Sequence, residues 1–368
     1  MSTSSDELKY FNAFNLFPEI GAIRFKKLMA YFPTMADAWQ AGERGLRQAG
    51  LDEKLSQKII SERGKINPDK EFAKLTKEQI SLITIKDDQY PKLLKEIYDP
   101  PAVLYIKGQI KPEDEFSLSI VGTRKPTPYG IQVAEELTHK LSTAGLTIVS
   151  GLAFGVDTIA HKTCLKNNKR TIAVVGSGID QQSVYPFANK NLAEQISDNG
   201  ALISEYPIGT SAMPYHFPAR NRIISGISLG TLVIEAAEKS GTFLTANHAL
   251  GQNRQVFAVP GPIYSKYSVG PNNLIKMGAK LVNDVGDILE ELNLTNTPQY
   301  QEARKIIPDN KEEGIILEIL SSADKPLHID KITVQAKLDS SVISATLSLM
   351  EIKGKVRNLG GMNYVIAR

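Results

Sequence analysis

The chain has little of several things that would settle its chemistry at once. Among 368 residues there is one cysteine, Cys164, which excludes an internal disulfide and a thiolate metal cluster. The five histidines (His139, His161, His216, His248 and His328) fall at no metal-ligand spacing. The formal net charge is only +3, so affinity for a polyanion must come from where charges sit rather than from their number. No apolar run approaches membrane-spanning length, and the amino-terminal MSTSSDELKYFNAF lacks the basic-then-apolar layout of a secretion signal. Both predict a cytoplasmic protein. No G-x-x-x-x-G-K-[ST] loop occurs, which excludes a P-loop NTPase, and no cofactor or metal is expected.

What is present reads as a soluble globular chain, 42% hydrophobic and 23% charged, long enough for one full α/β domain and one or two small ones. From Ser117 the pattern alternates between buried-strand runs and amphipathic helices. The runs are SLSIVG (117–122), LTIVSG (146–151), RTIAVVG (170–176), ALISEY (201–206), GTLVIEA (230–236) and QVFAVPG (255–261). Continuous apolar strands covered by helices predict a doubly wound, mostly parallel, Rossmann-like sheet. Right-handed crossovers then bring every strand's carboxyl end to one edge, where ligands of such sheets bind. The residues predicted at that edge are Gly122-Thr123-Arg124-Lys125, Ser150-Gly151-Leu152, Gly176-Ser177-Gly178 and Glu205-Tyr206-Pro207. Small residues there let a ligand approach backbone N–H groups closely. Tight strand-to-helix turning explains some of the glycines but not the arginines.

The passage His216–Leu250 (HFPARNRIISGISLGTLVIEAAEKSGTFLTANHAL) organises the rest. It combines a basic cluster, Arg220-Asn221-Arg222, with a buried strand and a helix start at Ser240-Gly241-Thr242. Forked guanidinium donors suit phosphate, and a Ser-Gly helix entry leaves N–H groups open to an anion. Arg220 and Arg222 are expected either to arrive as phosphate donors from a loop before the strand or to be surface ion-pairing residues.

Two smaller modules flank this core. Residues 1–75 read as short helices with a Pro18-to-Gly21 turn, resembling a helix-hairpin-helix or SAM-like unit. Glu19 stands where that motif has its first glycine and would repel phosphate, which favours an accessory role. The core is expected over 76–292 with a connector region at 76–116, followed by a polar linker at 293–310. Residues 311–368 read as helix, turn, helix and a hairpin turning near Gly360-Gly361, a winged-helix pattern. Residues 306–368 balance eight Lys or Arg against eight Asp or Glu, and Ser340–Met350 has no basic residue. That favours a protein contact or autoregulation over reading a DNA groove.

Two enzyme motifs fail on inspection. Gly176-Ser177-Gly178 opens a dinucleotide fingerprint, but Gln181 replaces its third glycine. Gly226-Ile227-Ser228-Leu229-Gly230 fits G-x-S-x-G, yet Ser228 lies just before a predicted strand where a nucleophile elbow needs strand, turn, helix. The nearest enzyme reading is a nucleotide-binding phosphoribohydrolase-like protein of the lysine-decarboxylase-like group, with motif P-G-G-x-G-T-x-x-E. Here Gly226-Ile227-Ser228 replaces Pro-Gly-Gly, and Glu235 lies one residue too far beyond Gly230-Thr231. His161 is expected to be a hydrogen-bonded structural histidine.

Taken together, DPPAVLYIKG (99–108), SIVGTRKPTPYG (119–130), VSGLAFGVDTIAH (149–161), VYPFANKNL (184–192), HFPARNRIISGIS (216–228), SGTFLTANHAL (240–250) and VFAVPG (256–261) resemble the bacterial DNA-processing protein A (DprA/Smf) family. The resemblance runs from about residue 85 to 290. It implies a non-enzymatic protein of natural transformation that binds and protects incoming single-stranded DNA and helps load the RecA recombinase. It also implies a homodimer through the Rossmann-like core, with DNA in a positive pocket. The family's Gly-Ser-Arg pocket motif falls on Gly122, Thr123 and Arg124, and its Phe-Pro-x-Arg-Asn-Arg motif on Phe217, Pro218, Arg220, Asn221 and Arg222. After Tyr185-Pro186, where relatives carry a basic contact, this chain has Phe187, with Lys190 three residues on; the phenyl ring is a candidate for stacking on a base. Phosphates are expected to meet Arg124, Lys125, Arg220, Arg222 and the N–H groups of Ser150-Gly151 and Ser240-Gly241. Few aromatics line the motifs, which predicts that electrostatics carries most of the affinity. A candidate dimer face is Leu274, Ile275 and Leu281, which equally fit ordinary core.

Overall fold

Strand β1 (Ser81–Thr84) pairs antiparallel with β2 (Val103–Gly108), and β2 pairs antiparallel with β6 (Ala201–Ser204). The remaining strands are parallel: β3 (Ser117–Val121), β4 (Thr147–Ser150), β5 (Thr171–Val174), β7 (Gly230–Val233), β8 (Gln255–Ala258) and β9 (Lys280–Leu281). The order across the nine-stranded sheet is β1-β2-β6-β5-β4-β3-β7-β8-β9. This computed structural model describes residues 3, 5–238, 240–294, 308, 310–323, 325–353 and 355–366.

All six apolar runs of the core form strands, and their alternation places successive side chains on opposite faces. Tyr105, Ala173 and Leu202 belong to one apolar cluster, while Leu104, Ile106, Ile172, Val174 and Ile203 belong to another. Helices seal both clusters. They are α1 (Ser5–Asn15), α2 (Ala22–Tyr31), α3 (Met35–Gln40), α4 (Glu43–Gln48), α5 (Glu53–Glu62), α6 (Pro68–Lys77), α7 (Lys92–Lys95), α8 (Pro128–Thr143), α9 (Val156–Lys166), α10 (Lys190–Asn199), α11 (His216–Ile227), α12 (Thr242–Gly251), α13 (Val269–Lys276) and α14 (Val285–Glu291).

The amino-terminal helices are tied to the sheet through the first cluster, which joins Phe11, Phe14 and Phe25 to Tyr105 and Leu202. Polar bonds fix the docking: Tyr105 donates to Asn12 Oδ1 at 2.8 Å, and Asn15 Nδ2 donates to the Glu205 carbonyl at 2.9 Å. The Pro18–Gly21 turn separates α1 from α2 as expected, and Glu19 is held by Lys58 at 2.7 Å. Among the described residues no helix is long and apolar enough to cross a membrane. Of the candidate dimer residues, Leu274 is core instead, 2% exposed. Ile275 packs partly buried on the same cluster, and Leu281 keeps 37% of its surface. Leu274 turns inward because α13 lies against β8, and its inner side must be apolar.

The topology decides where a ligand site belongs. The chain winds outward from β3 through β4, β5 and β6, then returns to lay β7 on the other side of β3. The connections after β3 and β7 therefore diverge and open a crevice at their carboxyl ends, the switch point at which such sheets bind ligands.

The chain divides into two compact units, 1–294 and 295–368. The second is a winged helix: α15 (Lys311–Ser321), β10 (Leu327–His328), α16 (Ile329–Ala336), α17 (Ser340–Ile352), β11 (Val356–Asn358) and β12 (Asn363–Ile366), with strand order β10-β12-β11. Ile316, Ile332, Ile343, Leu347 and Met350 form its core. Most of the expected linker, residues 295–307 and 309, lies outside the described residues.

Candidate nucleic-acid interface

A cleft of 320 Å³ opens at the switch point. It is lined from the β3–α8 loop by Gly122, Thr123 and Arg124, from α11 by Phe217, Arg220 and Asn221, and from the start of α12 by Ser240, Gly241 and Thr242. Seven of the expected site residues thus meet in one place: Gly122, Thr123, Arg124, Arg220, Asn221, Ser240 and Gly241.

The β3–α8 loop is held open by buried bonds. Thr123 N–H donates to the Glu235 carbonyl at 2.7 Å, and both Glu235 carboxylate oxygens accept from Thr127, Oε2 from its N–H at 2.9 Å and Oε1 from its hydroxyl at 2.6 Å. Glu235 is 2% exposed. Gly155, at φ 76°, has no side chain because a Cβ there would overlap the Thr123 carbonyl and the Arg124 backbone. Arg124 and Lys125 are left on the surface, and among the described residues neither pairs with a carboxylate. The Arg124 guanidinium lies 5.7 Å from the centre of the Phe217 ring.

On the facing wall, α12 begins at Thr242 with Gly241 as its N-cap, so the expected helix entry is present. Ser240 Oγ accepts from the Thr242 N–H at 3.2 Å, and Asn221 Nδ2 reaches the Gly241 carbonyl at 3.5 Å. The helix amino end meets the cleft with an exposed glycine, and α12 presents partial positive charge there.

Two expectations are corrected. Arg220 and Arg222 come from helix α11 and not from a loop, and they are only 4% and 8% exposed. Arg220 forms part of the cleft floor. Its Nη1 donates to the carbonyl oxygens of Gly151 and Val174, stapling the ends of β4 and β5, and the buried Asp157 carboxylate lies beside it. Burial pulls the Arg220 guanidinium down to about 10, with Asp157 opposing the shift. Arg222 lines a different cleft and is committed to two carboxylates, Glu205 Oε2 at 2.6 Å and Asp99 Oδ2 at 3.1 Å. A helix turn of 100° per residue separates neighbours that a linear motif places together.

The second correction concerns Ser150-Gly151. Both are buried; Ser150 Oγ donates to the Ile120 carbonyl at 2.6 Å and the Gly151 N–H to Asp157 Oδ2 at 3.1 Å, so this pair supports the floor and has no open donor. Of the aromatics, Phe217 alone is in the cleft lining, in line with the few rings expected there. Phe154, Tyr185 and Phe187 are 45%, 47% and 74% exposed, and Tyr185 lies 5.8 Å from Phe217. Folding brings the Tyr185 ring, from the loop after β5, beside Phe217 of α11. Phe187 and Lys190 are adjacent, with the ammonium 5.6 Å from the ring centre, but they lie outside the cleft lining.

Other candidate chemistry is absorbed by the fold. Ser228 is buried at the α11–β7 junction and donates to the Ile224 carbonyl at 2.9 Å, so it is no nucleophile elbow. His161 shares a 2.8 Å hydrogen bond with Thr171, and burial pulls its imidazole down to about 3.

With this geometry, comparison with known proteins places the chain. The family profile of DNA recombination-mediator protein A matches residues 81–293, and that of the DprA winged helix domain matches residues 301–362. The chain belongs to the DNA recombination-mediator protein A family. It is 33% identical to Protein Smf of Synechocystis sp., over 98% of this chain and 99% of that protein. The fold is similar to the X-ray structure of DNA processing protein A (DprA) from Streptococcus pneumoniae, with a TM-score of 0.67 and 33% identity over 79% of this chain and 99% of that one. It is also similar, with a TM-score of 0.52 and 30% identity over 58% and 96% of the two chains, to DNA processing protein A from Helicobacter pylori, a structure described for its single-stranded DNA binding mode. The family thus carries its profile across the sheet that builds the switch-point cleft.

Proposed function

We propose that the switch-point cleft grips the sugar-phosphate backbone of single-stranded DNA without reading its sequence. The observation that carries this reading is the meeting of the surface cation Arg124 with the amino end of α12 across a cleft that Phe217 lines, with Lys125 exposed next to Arg124 in the chain. Phosphate neutralisation plus stacking on ring faces is the physical recipe for sequence-tolerant binding of unpaired strands. Arg124, Lys125, Asn221 and the Ser240-Gly241 entry supply the contacts, Gly122 and Thr123 let the strand approach, and Phe187 with Lys190 extends the track. Arg220, Arg222, Ser150 and Gly151 act beneath it as supports. The single-stranded DNA binding named for the Helicobacter pylori relative supports the same reading.

Membership of the family supports a finer reading. The chain protects incoming single-stranded DNA during natural transformation in the cytoplasm, helps load RecA, and works as a non-enzymatic homodimer through its core. Against the phosphoribohydrolase alternative, Glu235 is 2% exposed, is absent from the cleft lining and accepts from Thr127 with both oxygens, so its carboxylate faces the loop rather than a substrate. The test is an anisotropy titration with oligo-dT and a duplex competitor across roughly 50 to 200 mM salt. Preferential binding of the single strand, falling linearly on logarithmic axes, is expected; preference for duplex would refute the assignment of the cleft. Release of base from nucleoside monophosphates, abolished by Glu235→Gln, would replace it with the enzyme reading.

A further inference from the structure

Helix α11 is a partition between two clefts. Phe217, Asn221 and Ile224 face the switch-point cleft, whereas His216, Ala219 and Arg222 face a second one of 550 Å³. This second cleft lies between the sheet and the α1–α2 segment, with Phe17 and Phe25 on its helical wall and Tyr206 and His216, stacked 4.1 Å apart, on the other. Its mouth carries Tyr215 and Met213, 67% and 42% exposed. Tyr215 meets His216 edge-on at 4.6 Å, on the same end of α11 where Phe217 meets Tyr185. The two clefts are therefore separated by about one helix diameter, roughly 10 Å, with aromatic rings at the crossing.

Arg222 and Glu205 line this second cleft, and the pair is not fully satisfied. Although Arg222 Nη2 and Glu205 Oε2 are 2.6 Å apart, Arg222 Nη1 and Glu205 Oε1 are buried without a hydrogen-bond partner among the described residues. One unpartnered donor and one unpartnered acceptor on residues of the same cleft lining are groups that a nucleobase edge, with an acceptor next to a donor, can satisfy. Charge points the same way. Asp99 and Glu205 outnumber Arg222, so a phosphate is repelled here, while a neutral ring is not. The clefts thus divide the labour a single strand requires, with cations on one side of α11 and a ring-lined slot with an acidic excess on the other.

We propose that the second cleft receives an unpaired nucleobase from the strand whose phosphates lie on the switch-point cleft. The proposal rests on the strand-binding reading above and adds a base subsite to it. Base–aromatic contact supplies affinity, and the Glu205–Arg222 pair completes its hydrogen bonds with the base edge.

The experiment compares oligo-dT with an oligomer of abasic deoxyribose phosphates of equal length, binding to the full chain. The expected result for the wild type is oligo-dT binding at least roughly fivefold tighter, the low end of what stacking one base contributes. Tyr215→Ala, at an exposed position, and Met213→Trp, which fills the mouth, should each narrow that ratio while leaving abasic affinity and the salt slope unchanged. A wild-type ratio in both variants overturns the proposal, as does an equal loss for both oligomers. If the wild type binds neither oligomer, the strand-binding reading itself fails, an outcome distinct from the loss of the base subsite alone. Circular dichroism melting confirms that each variant is folded.

Discussion

Replacing Arg124 with alanine removes a surface cation that no carboxylate neutralises among the described residues, while the buried bonds that shape its loop come from Thr123 and Thr127. The fold should therefore survive, and the loss should appear in binding alone. For single strands each neutralised phosphate contributes about 0.7 to the slope of log affinity against log salt. Taking counterion release to vanish near 1 M, one contact at 0.1 M salt is worth 10 to the power 0.7, about fivefold in affinity. Arg124→Ala should thus bind oligo-dT about fivefold more weakly at 0.1 M salt, with the slope lower by about 0.7 and the two titration lines converging toward 1 M. Losing the cation over Phe217 adds to the affinity change without altering the slope. Anisotropy titrations at four or five salt concentrations read both quantities. An unchanged slope would refute the reasoning, because it would mean that Arg124 meets no phosphate.

Arg222→Ala should behave in the opposite way. It leaves Glu205 and Asp99 without their cation, and breaking such a buried pair costs about 3–5 kcal/mol, so urea denaturation should show a large loss of stability while the salt slope is retained. Gly151→Ala would bring a methyl within 2.7 Å of both the Arg220 guanidinium nitrogens and Asp157 Oδ2; overpacking of this kind costs about 1–3 kcal/mol, visible in the same assay. Glu235→Gln exchanges a charged acceptor for a neutral one at Thr127, costing about 1–2 kcal/mol, and should weaken oligo-dT binding by loosening the Arg124 loop without changing the salt slope. A slope reduced by as much as in Arg124→Ala would instead make the Glu235 effect electrostatic.

The sheet was legible because its strands are continuous β-branched and aliphatic runs, four of the six ended by glycine. The site edge followed from topology, and Gly122-Thr123-Arg124 and Ser240-Gly241 do meet there. What the sequence could not show was the direction of side chains within HFPARNR. A basic motif reads the same on a loop as on a helix, but on α11 the helical turn sends Asn221 to one cleft and Arg222 to another. Burial of the two arginines also depends on Asp99, Asp157 and Glu205, none of them near in sequence. The ring contact was hidden for the same reason: Tyr185, from the loop after β5, and Phe217, from α11, become neighbours only after folding.

The proposed grip on a polyanion by a chain of net charge +3 turns on what its carboxylates are doing. Asp157 and Glu205 are turned inward toward Arg220 and Arg222, and Glu235 toward Thr127, each occupied in fixing a wall of one of the two clefts. Spending the acidic groups on buried arginines and loop bonds removes them from the rim, where a single carboxylate beside Arg124 would cancel its field. The arginines that look most like ligand contacts in the sequence are therefore the ones that make the exposed cations effective. If the cleft holds the strand as proposed, a substitution that released any of the three carboxylates toward the surface should weaken strand binding even though no residue touching the strand had changed.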